Sequence, residues 1–161
     1  MHKKAIYPGS FDPITYGHLD LIERASRIFP EVIVSVVNNP NKSTLFSLNE
    51  RVELLDKILC SRFDNVKVAS FDGLLVDFVK DHNSNMIIRG LRAVSDFEYE
   101  LQLALTNRKI SSGVETIFLM PKEEYTYLSS SLVREVAKYG GDVSQFVHPV
   151  VVSKLKEKFA V

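Results

Sequence analysis

An alternation constrains this chain more than any other feature. Short runs rich in β-branched and apolar residues occur at 4–7 (KAIY), 32–37 (VIVSVV), 66–71 (VKVASF), 86–89 (MIIR) and 115–120 (ETIFLM), with helix-period segments between them. Ile22, Ala25 and Phe29 share one helical face, as do Val52, Leu55 and Leu59, then Leu75, Phe78 and Val79, then Phe97, Leu101 and Ala104. Strands separated by helices pair in parallel through right-handed crossovers. The order therefore predicts an α/β fold, an open parallel five-stranded sheet with helices on both faces. Capping boxes are expected at Ser47 with Glu50 and at Ser95 with Glu98. After the last strand, SSSLVREVAKYGG reads as a serine cap, a helix and a glycine stop. PVVVSKLKEKF opens at Pro149 and offers Val151, Val152, Leu155 and Phe159 for burial. The 161 residues contain no repeat, linker or low-complexity stretch, so residues 1–161 are expected to form one domain.

Charge narrows the partners. Lysine and arginine total 20 and so do aspartate and glutamate, so no overall field recruits nucleic acid or an anionic membrane. Anion binding must come from a few cations gathered locally. The single cysteine, Cys60, sits in a helical pattern among Leu54, Leu55, Ile58 and Leu59 and reads as a small buried thiol; a disulfide framework and a cysteine-ligated metal are excluded. No apolar run approaches the roughly 18 residues of a membrane span, and the N-terminus lacks a signal-peptide core, so the cytoplasm is the expected compartment.

In an open parallel sheet, ligands bind at the carboxyl ends of the strands, so only strand-to-helix segments reach that edge. Those segments are PGSFDPITYGH, NNPNKSTLFS, DGLL, GLRAVS and PKEEYTYLSSS, two of them about ten residues long where about four to six are usual. They carry Ser10, His18, Lys42, Arg92 and the serines Ser129, Ser130 and Ser131, with Arg89 at a strand end. The opposite set (PE, SRFDN, DHNSN, SSG) is ordinary turn chemistry. Taken singly, each polar residue has a structural reading: Lys42 as a solvated loop lysine, Arg89 and Arg92 as partners of Asp96 or Glu98, the serines as a helix cap, His18 as a core histidine. Together they form a receptor for a small polyanion, because helix N-termini add unpaired amides and a positive dipole end. Gly9 and Gly17 permit close backbone approach while Pro8 and Pro13 restrict the loop. A histidine at a helix N-terminus tends to stay neutral and can still donate an N–H to a phosphate oxygen. The chain lacks G-x-x-x-x-G-K-[ST], G-x-G-x-x-G after the first strand, and a G-x-S-x-G turn.

GSFDPITYGH resembles the T-x-G-H signature of the nucleotidylyltransferase superfamily, and SSSLVREV resembles its second, serine-rich signature. The block IIRGLRAVSDFEYELQLALTNR between them is similar to the phosphopantetheine adenylyltransferases, and the likeness runs from AIYPGSFDP almost to the C-terminus. The resemblance implies a Rossmann-like sheet and transfer of the adenylyl group of ATP to 4′-phosphopantetheine, giving dephospho-coenzyme A and pyrophosphate, the penultimate step of coenzyme A synthesis.

Site roles carried by the resemblance are as follows. His18 would stabilise the pentavalent α-phosphoryl group, with Lys42 and Arg92 as its catalytic partners. Ser10 would touch both substrates. Lys42 and Arg89 would hold the phosphate of phosphopantetheine, and Leu75 would line the pantetheine site. ATP would lie along Ser10, Phe11, His18, Gly90, Leu91, Arg92 and Glu100, with Tyr125, Thr126, Tyr127, Leu128, Ser129, Ser130 and Ser131 around the adenine and phosphates. Glu100, by position alone, is a solvated carboxylate. Ser10 stands where threonine is common in the family and Tyr125 where tryptophan occurs; the hydroxyl and the aromatic body are kept. Mg2+ would travel with the triphosphate, without a protein-built metal site. A homohexamer of two trimers and feedback inhibition by coenzyme A are implied as well. The alternatives are a sister nucleotidylyltransferase acting on nicotinamide mononucleotide or a phosphorylated alcohol, and a non-catalytic sensor of adenine nucleotides or coenzyme A.

Overall fold

The structure is a computed structural model and describes residues 4–39, 43–92 and 94–160. Its elements run β1 (Lys4–Gly9), α1 (Tyr16–Ile28), β2 (Glu31–Val37), α2 (Leu48–Leu59), β3 (Val66–Phe71), α3 (Leu75–Asp81), β4 (Met86–Gly90), α4 (Val94–Ile110) and β5 (Glu115–Leu119). A 3-10 turn (Glu123–Tyr125), α5 (Ser130–Lys138) and α6 (Pro149–Phe159) complete the order. All strand pairs are parallel and lie in the order β3-β2-β1-β4-β5. β1 pairs with β2 from Lys4↔Glu31 to Gly9↔Val36 and with β4 through Ala5↔Met86 and Ile6↔Ile87. The winding reverses between β1 and β4, and the connections leaving their carboxyl ends part there, which opens the crevice where such sheets bind ligands.

The two-residue period of the strands divides the core. Ala5 and Tyr7 of β1, Val32, Val34 and Val36 of β2 and Ile88 of β4 face one layer, where they meet Leu19 and Ile22 of α1, Leu55 and Leu59 of α2, Val133 of α5 and Leu155 of α6. Ile6, Ile33 and Ile87 face the other, with Phe71, Phe78, Val79 and Val114. The expected fold class therefore stands.

Several boundaries differ from the sequence reading for identifiable reasons. β1 continues through Pro8 to Gly9 and α1 begins at Tyr16, so the first connection is residues 10–15 and is shorter than expected. The Ser47–Glu50 capping box is present, each side chain bonding the other's backbone amide. α4 opens at Val94, ahead of Ser95, whose side chain lies outside the described residues together with the cap expected of it. Cys60 is exposed rather than buried: α2 ends at Leu59, and Cys60 forms its C-cap, turned toward Asp56. Phe97 and Leu101 do not cover the sheet either, being 46% and 38% exposed, because α4 turns Glu100 inward instead. No helix among the described residues is long and apolar enough to cross a membrane.

Candidate active site at the ends of β1 and β4

A cavity of about 310 Å3 occupies the crevice, floored by Tyr7 to Asp12 and by Arg89 and Gly90 at the strand ends, and walled by His18, Arg92, Tyr125 and the start of α5. Phe11 shapes its base. Its backbone sits in the left-handed region at φ 46°, and its ring packs edge-on against Tyr7 at 5.5 Å and His18 at 5.1 Å. Gly9 is required by this ring, since a Cβ there would lie 2.9 Å from both Cε2 and Cζ of Phe11. Phe11 is 2% exposed and packed against both Tyr7 and His18, so its ring has little room to yield. Gly9→Ala is therefore expected to destabilise the fold by about 1–3 kcal/mol in urea unfolding and to slow turnover, the cost typical of overpacking. Gly113→Ala, whose Cβ meets nothing within 4 Å, serves as the neutral control.

His18 is held by its own helix. Thr15 is the N-cap of α1 and His18 its third residue; the backbone N–H of Thr15 donates to Nδ1 at 3.0 Å, and Thr15 Oγ1 accepts from the His18 amide at 3.4 Å. An Nδ1 that accepts carries no proton, so Nε2 bears it and is the ring's donor to anything bound in the cavity. Burial, and then the charge of Arg92, lower the imidazole pKa from 6.5 to about 4. The sign of the linkage follows: the unfolded chain takes up this proton near pH 6.5 and the folded chain only near pH 4, so stability from this group is full above 6.5 and is lost as pH falls toward 4. In the ligand-free protein, the His18 ring resonances are expected to titrate near pH 4 by NMR; a midpoint near 6.5 contradicts the tautomer and burial described.

The cations are arranged unequally. Arg89 reaches Glu100 with two bonds, Nε to Oε2 at 2.7 Å and Nη2 to Oε1 at 2.6 Å, and gives Nη1 to the Pro8 carbonyl at 3.2 Å. A guanidinium has five N–H donors, so two remain for a ligand among the described residues. Glu100 is 8% exposed, which corrects its reading as a solvated carboxylate. Burial opposes the Arg89 charge, but Glu100 outweighs it and the guanidinium pKa is raised. Arg92 is the exposed member, bonded to Asp96 Oδ2 at 3.1 Å and to the Leu128 carbonyl at 3.0 Å.

The far wall is fastened to α1. Asp20 accepts from the Lys122 amide at 3.0 Å and Arg24 donates to the Met120 carbonyl, which sets Pro121 and Tyr125 over the cavity. Ser129 caps α5 by accepting from the Leu132 amide at 3.1 Å, and Ser130 Oγ donates to the Pro13 carbonyl at 2.7 Å, so the helix start points its amides at the crevice. The carboxylates at the cavity, Asp12 and Glu100, are engaged by amides and arginines, and the described residues contain no group of three or more potential metal ligands.

The crevice gathers most of the residues expected from the sequence: Ser10, Phe11, His18, Arg89, Gly90, Arg92, Glu100, Tyr125, Leu128, Ser129, Ser130 and Ser131 all line it. Leu91, Thr126 and Tyr127 flank it in the same connections without lining it. Leu75 stands apart, at the start of α3 and packed on the smaller core. Lys42 lies outside the described residues. The sequence reading did not single out Asp12, Thr15 or Arg134, which also line the cavity. Thr15 was detectable as a cap three residues before a side chain able to answer it.

Solved structures with this architecture include a Vibrio parahaemolyticus protein provisionally described as a nicotinate-nucleotide adenylyltransferase (21% identity, TM-score 0.70, 97% of this chain and 92% of that one). Another is the Plasmodium falciparum nicotinic acid mononucleotide adenylyltransferase complexed with NaAD (18%, TM-score 0.70, 100% and 97%). A lipopolysaccharide core biosynthesis protein from Thermoplasma volcanium aligns over less of the chain (20%, TM-score 0.52, 74% and 96%). At these identities the likeness is one of fold. Residues 6–136 match the Cytidylyltransferase-like family model, a span that takes in most of β1, all of β2 to β5, His18 and the serine-capped start of α5, and the chain belongs to that family.

Proposed function

We propose that this protein transfers the adenylyl group of ATP to 4′-phosphopantetheine, releasing pyrophosphate and dephospho-coenzyme A. The observation that carries the reading is the convergence of a neutral, Nε2-protonated His18, the two arginines Arg89 and Arg92, and the amide-bearing start of α5 on one crevice. An oxygen of the acceptor phosphate attacks the α-phosphorus in line; the new P–O bond forms as the bond to the β-phosphate oxygen breaks, and pyrophosphate leaves with that electron pair. The nucleophile is already anionic, so no base is required. The protein must hold two anions together and stabilise charge on the transferring group. Arg89, with Lys42, suits the acceptor phosphate; Arg92 and the α5 amides suit the triphosphate; His18 Nε2–H suits the α-phosphoryl oxygens. Magnesium bound by the phosphates would neutralise part of the triphosphate charge, which agrees with cavity carboxylates that are already engaged.

The block RGLRAVSDFEYE supports phosphopantetheine as acceptor, since it supplies both arginines and Glu100. A second reading, adenylyl transfer to nicotinic acid mononucleotide, is favoured by the Vibrio and Plasmodium structures, whose descriptions name that type of enzyme. ATP-dependent pyrophosphate release with each acceptor decides between them. Release that depends on 4′-phosphopantetheine supports the first reading; release only with the mononucleotide supports the second; adenine-nucleotide binding without release with either points to a sensor. A homohexamer inhibited by coenzyme A belongs to the same proposal. Exposed Phe97, Tyr99, Leu105 and Ile110 along α4 support a subunit contact, and sedimentation tests it.

A further inference from the structure

Tyr16, Asp20 and Arg24 recur every fourth residue of α1, so they share one side of the helix, and that side meets the segment after β5. Asp20 is 7% exposed; its Oδ2 accepts from the Lys122 amide at 3.0 Å, while Oδ1 stands 4.0 Å from the exposed Lys122 Nζ. Arg24 donates to the Met120 carbonyl, and the Tyr16 ring lies 6.4 Å from that of Tyr125. The backbone of α1 comes close as well, since a Cβ on Gly17 would touch Tyr125 Cβ at 3.6 Å. The helix that carries His18 is therefore also the mount of the far wall. Asp20 and Lys122 stand outside the cavity lining, whereas Pro121 beside their bond and Tyr125 and Leu128 beyond it face the cavity. Arg24 and Arg92, which also hold this segment, are exposed, so water competes for their bonds; the Asp20 carboxylate is shielded.

We propose that Asp20 is a positioning residue that sets the nucleotide-facing wall, Pro121 to Leu128, at a fixed place relative to His18 without itself touching the nucleotide. Lys122 opens the 3-10 turn as its N-cap, and Pro121 before it has no N–H, so the Lys122 amide is the donor at the entrance of the wall. A carboxylate that accepts it makes a charge-assisted bond, about twice as strong as a neutral one. Without that bond the wall leans away for part of the time, and the apparent affinity for whatever it borders falls by the fraction of time it is out of place. The role asks for an oxygen at this position and not for a charge. The proposal rests on the reading above that ATP occupies the crevice; it is indifferent to which acceptor is used.

A double-mutant cycle that breaks the bond from each side tests it. Asp20→Ala removes the acceptor, and Lys122→Pro removes the donor at a residue whose φ of −55° suits the proline ring. Each is expected to raise the dissociation constant for MgATP, by calorimetry, about tenfold, and the double variant by no more than about threefold beyond either single, because both remove the same bond. Asp20→Asn, which keeps an oxygen for the amide, is expected to stay within about threefold of wild type. Hydrogen exchange in the ligand-free protein supplies a second readout: the amides of residues 123–128 are expected to exchange faster in Asp20→Ala while those of β1 and β2 do not. Multiplying losses in the double variant, an unchanged dissociation constant in Asp20→Ala, a loss in Asp20→Asn equal to that in Asp20→Ala, or exchange that rises evenly along the chain each overturn the proposal. If Asp20→Ala loses its cooperative thermal transition, Lys122→Pro and Asp20→Asn carry the same comparison. Failure of the nucleotide reading is separable: it shows as wild-type protein that does not bind MgATP, and exchange at 123–128 then still decides whether Asp20 sets the wall.

Discussion

Glutamine in place of His18 is expected to lower turnover by roughly 10^2 to 10^4 while leaving the start of α1 folded. The substitution separates two roles of one side chain. Nδ1 accepts the Thr15 amide in the capping box, a task glutamine performs at the same position in many helices, so stability should change by no more than about 1 kcal/mol. In the proposed reaction Nε2–H would donate to the α-phosphoryl oxygens, and glutamine cannot place its amide there while it caps. ATP affinity should change little, because the interaction strengthens only as charge develops in the transition state. His18→Ala should lose the cap as well and combine slower turnover with a weaker fold. Preserved turnover with a large loss of ATP affinity would overturn the role given to His18. Single-turnover rates beside equilibrium binding make the comparison.

Glu100→Ala is the second change with a large expected effect. It removes both oxygens that Arg89 holds at 2.6 and 2.7 Å and leaves a guanidinium whose burial is no longer offset. Breaking a buried pair from one side costs about 3–5 kcal/mol in closed interiors; here the cavity admits water, and a loss of about 2–3 kcal/mol is expected. For a chain of this length that corresponds to a fall of roughly 5 to 10 °C in Tm. Glu100→Gln, which retains one acceptor, should lose less. Acceptor binding should weaken in both variants, since Arg89 loses the contact that aims its free N–H groups. A Tm unchanged by Glu100→Ala would show that the pair is only a surface contact.

The fold was legible because parallel order follows from alternation, and alternation is written in local periods of two and between three and four residues. The two strands with the clearest apolar runs, β1 and β2, lie side by side in the sheet. α4 misled because its apolar residues repeat at helical spacing without being buried; a charged residue, Glu100, takes the inward position, and it does so for a partner on β4 that periodicity cannot see. Cys60 misled for a simpler reason, since its helix stops one residue earlier than the pattern. The cavity lining was legible where its residues sit at strand ends or helix starts, as with His18, Arg89 and Ser129. Asp12 and Arg134 were not, because an aspartate before a proline reads as turn chemistry and an arginine inside α5 as a solvated face. Their meeting spans 122 residues of chain, which no local pattern encodes.

The uneven division of the core has a consequence in time. The layer beneath α1, α2, α5 and α6 interlocks many fully buried side chains, whereas on the other face α3 packs on the few around Ile6, Ile33 and Ile87, and no described side chain of α4 belongs to either cluster. Amides beneath the thick layer can exchange with solvent only when the whole molecule opens; those of α3 and α4 have a cheaper local route. α4 is fastened chiefly at Glu100, the buried member among its described residues, so whatever engages Arg89 also sets how often α4 lifts away. Hydrogen exchange along α4 then becomes a clock for occupancy of the crevice, readable at residues that touch no ligand.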